Sequence, residues 1–100
     1  MRVAIIYRPK SPPPAESFPQ LIERLGAWVD KHGGRMSTLE FFAGGGGLGV
    51  IDLDDSAELQ RIMVDNPFTP FAEVEVRPVV DPQTALATWR EVFAGMTGGG

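Results

Sequence analysis

The chain is 100 residues long, room for one domain and not two. Its net charge of −4, from 13 acidic and 9 basic residues, argues against nucleic acid or an anionic membrane surface as the main partner. The absence of cysteine excludes disulfides, thiolate nucleophiles and cysteine zinc sites.

Hydrophobic residues make up 43% of the chain, enough for a core. A domain of this size is marginal alone, so burial of a sheet face against a second copy is expected. The chain begins on a strand-like run too short for a signal peptide, and no apolar stretch reaches the length of a membrane span. The expected location is cytoplasmic.

Val3-Ala4-Ile5-Ile6-Tyr7 is apolar and β-branched on both faces, as a central strand covered on both sides would be. Pro9 and Pro12-Pro13-Pro14 end it in a stiff loop. Ser17 reads as a helix N-cap with Pro19 in the first turn. The helix runs to about His32, with Leu21, Ile22, Leu25, Trp28 and Val29 on one stripe, and Gly33-Gly34 stops it.

Met36 to Ala43 reads as a second strand, Gly44 to Gly47 as a turn, and Leu48 to Leu53 as a third strand, together a hairpin. Asp55 caps a second helix, with Glu58 three residues on, Leu59, Ile62 and Met63 inward, and Asn66-Pro67 at its close. Glu73 to Arg77 alternates strictly and predicts a half-exposed fourth strand. Asp81-Pro82 starts a last helix holding Leu86, Trp89, Val92 and Phe93 and ending at Gly95.

The order strand, helix, strand, strand, helix, strand predicts an α+β fold of the ferredoxin-like βαββαβ type with an extra C-terminal helix. Residues 1–95 form the domain, and 96–100 form a Gly-rich tail expected to be disordered. Both crossover helices should cover one sheet face, leaving a second face too apolar for water, hence a homodimer or larger oligomer.

Asp65-Asn66-Pro67-Phe68-Thr69-Pro70-Phe71 leads into the acidic alternating stretch Ala72 to Val76. It resembles the same segment of muconolactone isomerases, with their Pro-x-x-Pro-aromatic turn. The resemblance extends back without gaps to about Leu39 and includes Val50-Ile51-Asp52. Pro78-Val79-Val80-Asp81 is similar to the last-strand end of a broader group of dimeric α+β barrel domains. The resemblance implies sheet-to-sheet dimers, a pocket between the open sheet face and the partner, and cofactor-free proton transfer on a small lactone. In the alignment, the polar and aromatic residues of the isomerases' hairpin fall on Gly44 to Leu48, and their Arg and Trp fall on Glu40 and Leu39. Side chains that would handle a lactone carboxylate are therefore missing.

Several residues are candidates for chemistry. Glu40 sits among Leu39, Phe41 and Phe42, and a carboxylate in apolar surroundings can act as general acid or base near neutral pH. The plainer alternative is a solvent-facing or Arg-paired carboxylate. Tyr7 could hydrogen-bond a carbonyl and Arg8 could hold a carboxylate, or both simply end a strand. Phe41, Phe42, Phe68 and Phe71 are candidates to line a cavity, with core or interface packing the plainer account for at least half; the last two are the better candidates because a loop would otherwise expose them.

His32 is better explained as a cation at a helix C-terminus than as a proton shuttle. Gly44, Gly46 and Gly49 spell G-x-G-x-x-G, but a strand follows where a phosphate site needs a helix, so the run reads as a turn or as space for a ligand. Asp52, Asp54 and Asp55 are dense enough to suggest a divalent ion, but Asp54 and Asp55 sit where a helix cap is needed, which is sufficient explanation.

Two readings remain open. One is a cofactor-independent isomerase acting on a small apolar or lactone-like ligand through Glu40 and Tyr7. The other is a non-catalytic binding or oligomerisation module. Neither calls for a metal or cofactor.

Overall fold

The computed structural model describes residues 1–97. Four strands form one antiparallel sheet in the order β2-β3-β1-β4: β1 Arg2–Pro9, β2 Met36–Phe41, β3 Gly47–Asp52 and β4 Ala72–Pro78. Helices α1 (Phe18–His32) and α2 (Ser56–Asp65) cover one face, and α3 (Pro82–Thr97) follows β4. This is the ferredoxin-like α+β arrangement expected from the element order.

Strand β1 lies between β3 and β4, which is why its sequence is apolar on both sides. Val3, Ile5 and Tyr7 point toward the helices and join Ile51, Leu53, Trp28 and Ile62 in the core. Ile51 and Ile62 are the most completely buried, each contributing roughly 1.5–3 kcal/mol. The alternate residues Ala4 and Ile6 face the other way and pair with Val50 and Leu48 of β3. They make the apolar centre of the uncovered face. Around them stand Glu75, Arg77 and Arg8, the last held 3.2 Å from Glu75.

The helix starts differ in mechanism. Asp55 accepts a hydrogen bond from the Glu58 N–H at 2.8 Å, and the Glu58 carboxylate reaches back to the Asp54 N–H at 3.0 Å. The capping box expected at this point therefore forms, with the return bond one residue earlier. Glu58 also pairs with Arg35. Ser17, in contrast, makes no capping bond. Its backbone is already helical because a 3-10 turn over Ala15–Ser17 feeds directly into α1, and a side-chain cap requires an extended residue there.

The last carbonyls of α2 have no partner inside the helix. The buried Trp28 Nε1–H donates to the Ile62 carbonyl at 2.9 Å, tying α1 to α2. At the C-terminal end of α1, Lys31 Nζ and His32 Nε2 both donate to Asp65 Oδ2 at 2.8 Å. His32 thus makes a structural hydrogen bond between the two helices.

Helix α3 starts as expected, with Asp81 accepting from the Thr84 N–H at 2.9 Å. It continues past Gly95 to Thr97, so Met96 and Thr97 are helical where a tail was expected; residues 98–100 of that tail lie outside the described residues. From Pro82 to Met96 every residue except Ala85 is exposed. The radius of gyration is 17.7 Å, against about 13 Å for a compact chain of this length, because α3 stands off the domain. No helix among the described residues is long and apolar enough to cross a membrane.

The Lys31 hydrogen bond, followed by that from His32, holds the Asp65 carboxyl below its ordinary pKa. A carboxylate depressed in the folded state adds stability that is fully present above the ordinary carboxylate range and is lost as pH falls through the lowered folded value. Asp65→Asn should therefore be less stable than wild type at pH 7, with the gap closing below about pH 4. Urea midpoints measured from pH 7 to pH 3 would show this. A gap that stays constant with pH would refute it.

Candidate ligand cavity

A cavity of about 520 Å³ opens between α1 and the sheet. Ile5, Tyr7, Met36 and Leu39 form its sheet side, and Phe18, Ile22, Leu25 and Trp28 form the α1 side. Asn66, Phe68 and Phe71 close one end, and the loop from Pro9 to Pro13 closes another. That loop is held in place because the Lys10 and Ser11 N–H groups donate to the Phe71 carbonyl at 3.0 and 3.2 Å.

Glycines shape the hairpin side of the cavity, where Phe41 and Met36 pack closely over Gly47 and Gly49. The inward positions of β3 are Gly47, Gly49 and Ile51, and two of the three carry no side chain. The hairpin before them is bound to glycine too. Gly44, Gly45 and Gly46 have φ of 92°, 122° and 82°, a region that side-chain-bearing residues avoid. A Cβ on Gly46 would also run into the Tyr7 carbonyl and Pro9. The glycine run is thus a backbone requirement of this turn, with no helix after it to receive a phosphate.

The cavity lies on the helix-covered face. The resemblance had implied a pocket on the open face against a partner, and the single chain places it on the other side of the sheet.

Of the candidate residues, the structure brings Tyr7, Phe42, Phe68 and Phe71 together around the cavity and does not bring Arg8 or Glu40. Strand alternation accounts for Arg8: with Tyr7 inward, Arg8 faces outward, where it pairs with Glu75. Glu40 is displaced by a bulge. β2 shifts register between Met36 and Thr38, so Met36, Leu39 and Phe41 all reach the covered side. Glu40 falls between the last two and is exposed on the open face, opposite Leu48. The apolar surroundings expected for it are absent in the single chain.

Polar groups around the cavity are few. Tyr7 is buried, and its hydroxyl lies 3.0 Å from Thr69 Oγ1. Burial pushes this hydroxyl above its ordinary pKa, with the Thr69 hydrogen bond pulling the other way, so it is protonated throughout the neutral range. Asn66 was read only as a helix stop. It is buried, its Oδ1 accepts from the Phe68 N–H at 2.9 Å, and its amide nitrogen donates to no acceptor among the described residues. An Asn-Pro pair closing a helix is the same signal for both roles, so sequence alone separates them poorly. Among the described lining residues there is no Asp, Glu or His.

Comparison with known proteins fits this geometry. Residues 7–93 match the family model described as "Domain of unknown function (DUF3303)", and the chain belongs to that family. Among solved structures it is similar to muconolactone isomerase, at 19% identity over 82% of this chain and 92% of that one, with a TM-score of 0.66. It is also similar to the 5-chloro-2-hydroxyhydroquinone dehydrochlorinase TftG of Burkholderia phenoliruptrix AC1100, solved with 2,5-dihydroxybenzoquinone. There the identity is 17% over 82% of this chain and 97% of that one, with a TM-score of 0.59. These likenesses show that the chain has the ferredoxin-like α+β fold of muconolactone isomerase. No curated protein sequence matches the chain.

Replacing Gly46 by Ala should destabilise the protein by on the order of 1–3 kcal/mol or more, because it forces a side chain into positive φ and against the Tyr7 carbonyl. A urea midpoint equal to that of wild type would show that the turn tolerates another conformation.

Proposed function

We propose that the protein binds a small, largely apolar ring compound in the cavity between α1 and the sheet, and does so as a homodimer. The observation that carries the reading is the cavity itself: about 520 Å³, walled mostly by aromatic and aliphatic side chains, with Tyr7, Lys10, Ser11 and Asn66 as its polar residues. The size suits one or two fused rings. The similarity to an enzyme solved with a dihydroxybenzoquinone supports a ring-shaped ligand.

Proton transfer by Glu40 and Tyr7, on the pattern of the isomerase neighbour, finds less support. Glu40 stands on the far face, and a protonated tyrosine cannot accept a proton from carbon. Binding and orientation are what this set of side chains performs well.

The dimer is supported by two separate apolar surfaces. One is the centre of the open sheet face, Ala4, Ile6, Leu48 and Val50, ringed by charges of both signs that a two-fold pairing can match. The other is α3, whose exposed Leu86, Trp89, Val92 and Met96 share one side of the helix. A 16-residue helix is about 24 Å long. Two such helices and two sheet faces, reciprocated about a two-fold axis, can approach the roughly 1,600 Å² of a stable interface. A non-catalytic assembly module remains the second reading, and α3 is the observation that favours it.

Two experiments test these statements. In an amide NMR titration with soluble aromatic, quinone and lactone probes, shifts should concentrate on Tyr7, Leu39, Phe68 and Phe71. Leu39→Trp, which fills the cavity, should abolish them. Probes that leave these residues unmoved at millimolar concentration would overturn the binding reading. In sedimentation equilibrium at tens of micromolar, wild type should be dimeric or larger and Ile6→Arg should shift toward monomer. A monomeric wild type would overturn the paired-face reading.

A further inference from the structure

The direction of the Tyr7 hydrogen bond at the cavity wall is set by the proline that follows α2. In a helix, the Met63 carbonyl would accept from the N–H four residues on. That residue is Pro67, which has no N–H. The carbonyl is instead bonded by the Thr69 hydroxyl, with Oγ1 2.6 Å from the Met63 oxygen. A carbonyl only accepts, so the Thr69 proton is committed to Met63. Thr69 Oγ1 is therefore the acceptor in its 3.0 Å bond with Tyr7, and the Tyr7 proton is committed to Thr69. The chain of bonds runs in one direction, from Tyr7 through Thr69 to Met63.

From this chain we propose that Tyr7 meets a ligand as a hydrogen-bond acceptor, so the cavity selects ring compounds bearing a hydroxyl or N–H donor, such as phenols and enols, over their ethers. The inference rests on the cavity being a ligand site. Tyr7 holds its own proton, since burial keeps the hydroxyl protonated, and its free lone pairs are what it offers to a guest. The sequence alone suggested the reverse, a tyrosine donating to a carbonyl. Asn66, at the Phe68–Phe71 end with Thr69, supplies the complementary donor through its unbonded amide N–H groups. A ring carrying a hydroxyl next to a carbonyl would satisfy both. Thr69 acts here as a positioning residue, since it does not line this cavity and works through Tyr7.

The test compares 2-naphthol, which can donate, with 2-methoxynaphthalene, which cannot, by NMR titration or calorimetry on the whole chain. Wild type should bind the naphthol about 3- to 10-fold more tightly than the ether, the range expected for one net hydrogen bond. Tyr7→Phe should bring the ratio close to one. Thr69→Val frees the Tyr7 proton and should also lower the ratio by improving ether binding, whereas Thr69→Ser keeps the directed chain and should restore it. A merely structural role for Thr69 would weaken both probes together and leave the ratio alone. Equal affinity of the two probes in wild type, with shifts at the cavity, overturns the acceptor assignment and leaves the binding reading standing. If neither probe shifts the cavity residues, the site reading falls and this inference falls with it.

Discussion

The close of α2 is the constraint on which much of the molecule depends. A helix ends with carbonyls that need partners, and in a buried position each one left unpaired costs about 1–3 kcal/mol. Here the Ile62 carbonyl takes the indole of Trp28 and the Met63 carbonyl takes the hydroxyl of Thr69. The first bond fixes the distance of α1 from α2, and with it the roof of the cavity. The second pins the turn that carries Phe68 and Phe71. Pro67 makes both the stop and the vacancy: it ends the helix, removes the N–H that would have satisfied Met63, and so calls for a side chain from the next turn. Asp65, bonded to Lys31 and His32, adds an ionic tie across the same junction.

The two faces of the sheet divide the work through strand phase. On β1 the odd residues Val3, Ile5 and Tyr7 serve the core and cavity, and the even residues Ala4 and Ile6 serve the open face. On β3 the same division leaves Gly47 and Gly49 on the covered side, where Phe41 and Met36 of β2 pack over them. On β2 a single bulge reverses the phase partway along. That one extra residue decides which of Glu40 and Leu39 faces the cavity.

Much of this was legible in the sequence. The element order followed from hydrophobic period and punctuation. Asp55 with Glu58, and Asp81 before Pro82, marked two helix starts that the structure forms with the expected bonds. Tyr7, Phe42, Phe68 and Phe71 are candidates from the sequence, and all four line the cavity. Glu40 was a candidate because its sequence neighbours are apolar, but those neighbours, Leu39 and Phe41, turn inward after a bulge and alternation sends Glu40 outward. The clue was present: Met36, Leu39 and Phe41 cannot share one face of a regular strand, since the first two are three residues apart. Ser17 misled for a related reason, as a residue type favoured at caps was already helical. What covers α3 was not legible at all. A stripe of apolar residues shows that a helix face wants burial but not which surface provides it.

The scarcity of polar groups in the cavity is itself informative about selectivity. An apolar wall of rings and methyl groups separates ligands differing by a methylene by only about 1–3 kcal/mol, and tolerates many shapes that fit. Discrimination of a different order arises where a buried polar group is left unpaired by the wrong ligand, because the protein then bears the desolvation cost. Tyr7 and Asn66 are the groups at this cavity's end that could impose such a cost. The Tyr7 polarity is fixed before any ligand arrives, by a chain of bonds anchored on a carbonyl that Pro67 leaves free. Preorganisation of this kind lowers the cost of binding, since no hydroxyl has to be turned. On the proposed reading, residues outside the cavity govern what it accepts, and a change at position 67 or 69 would alter the Tyr7 polarity without touching the wall.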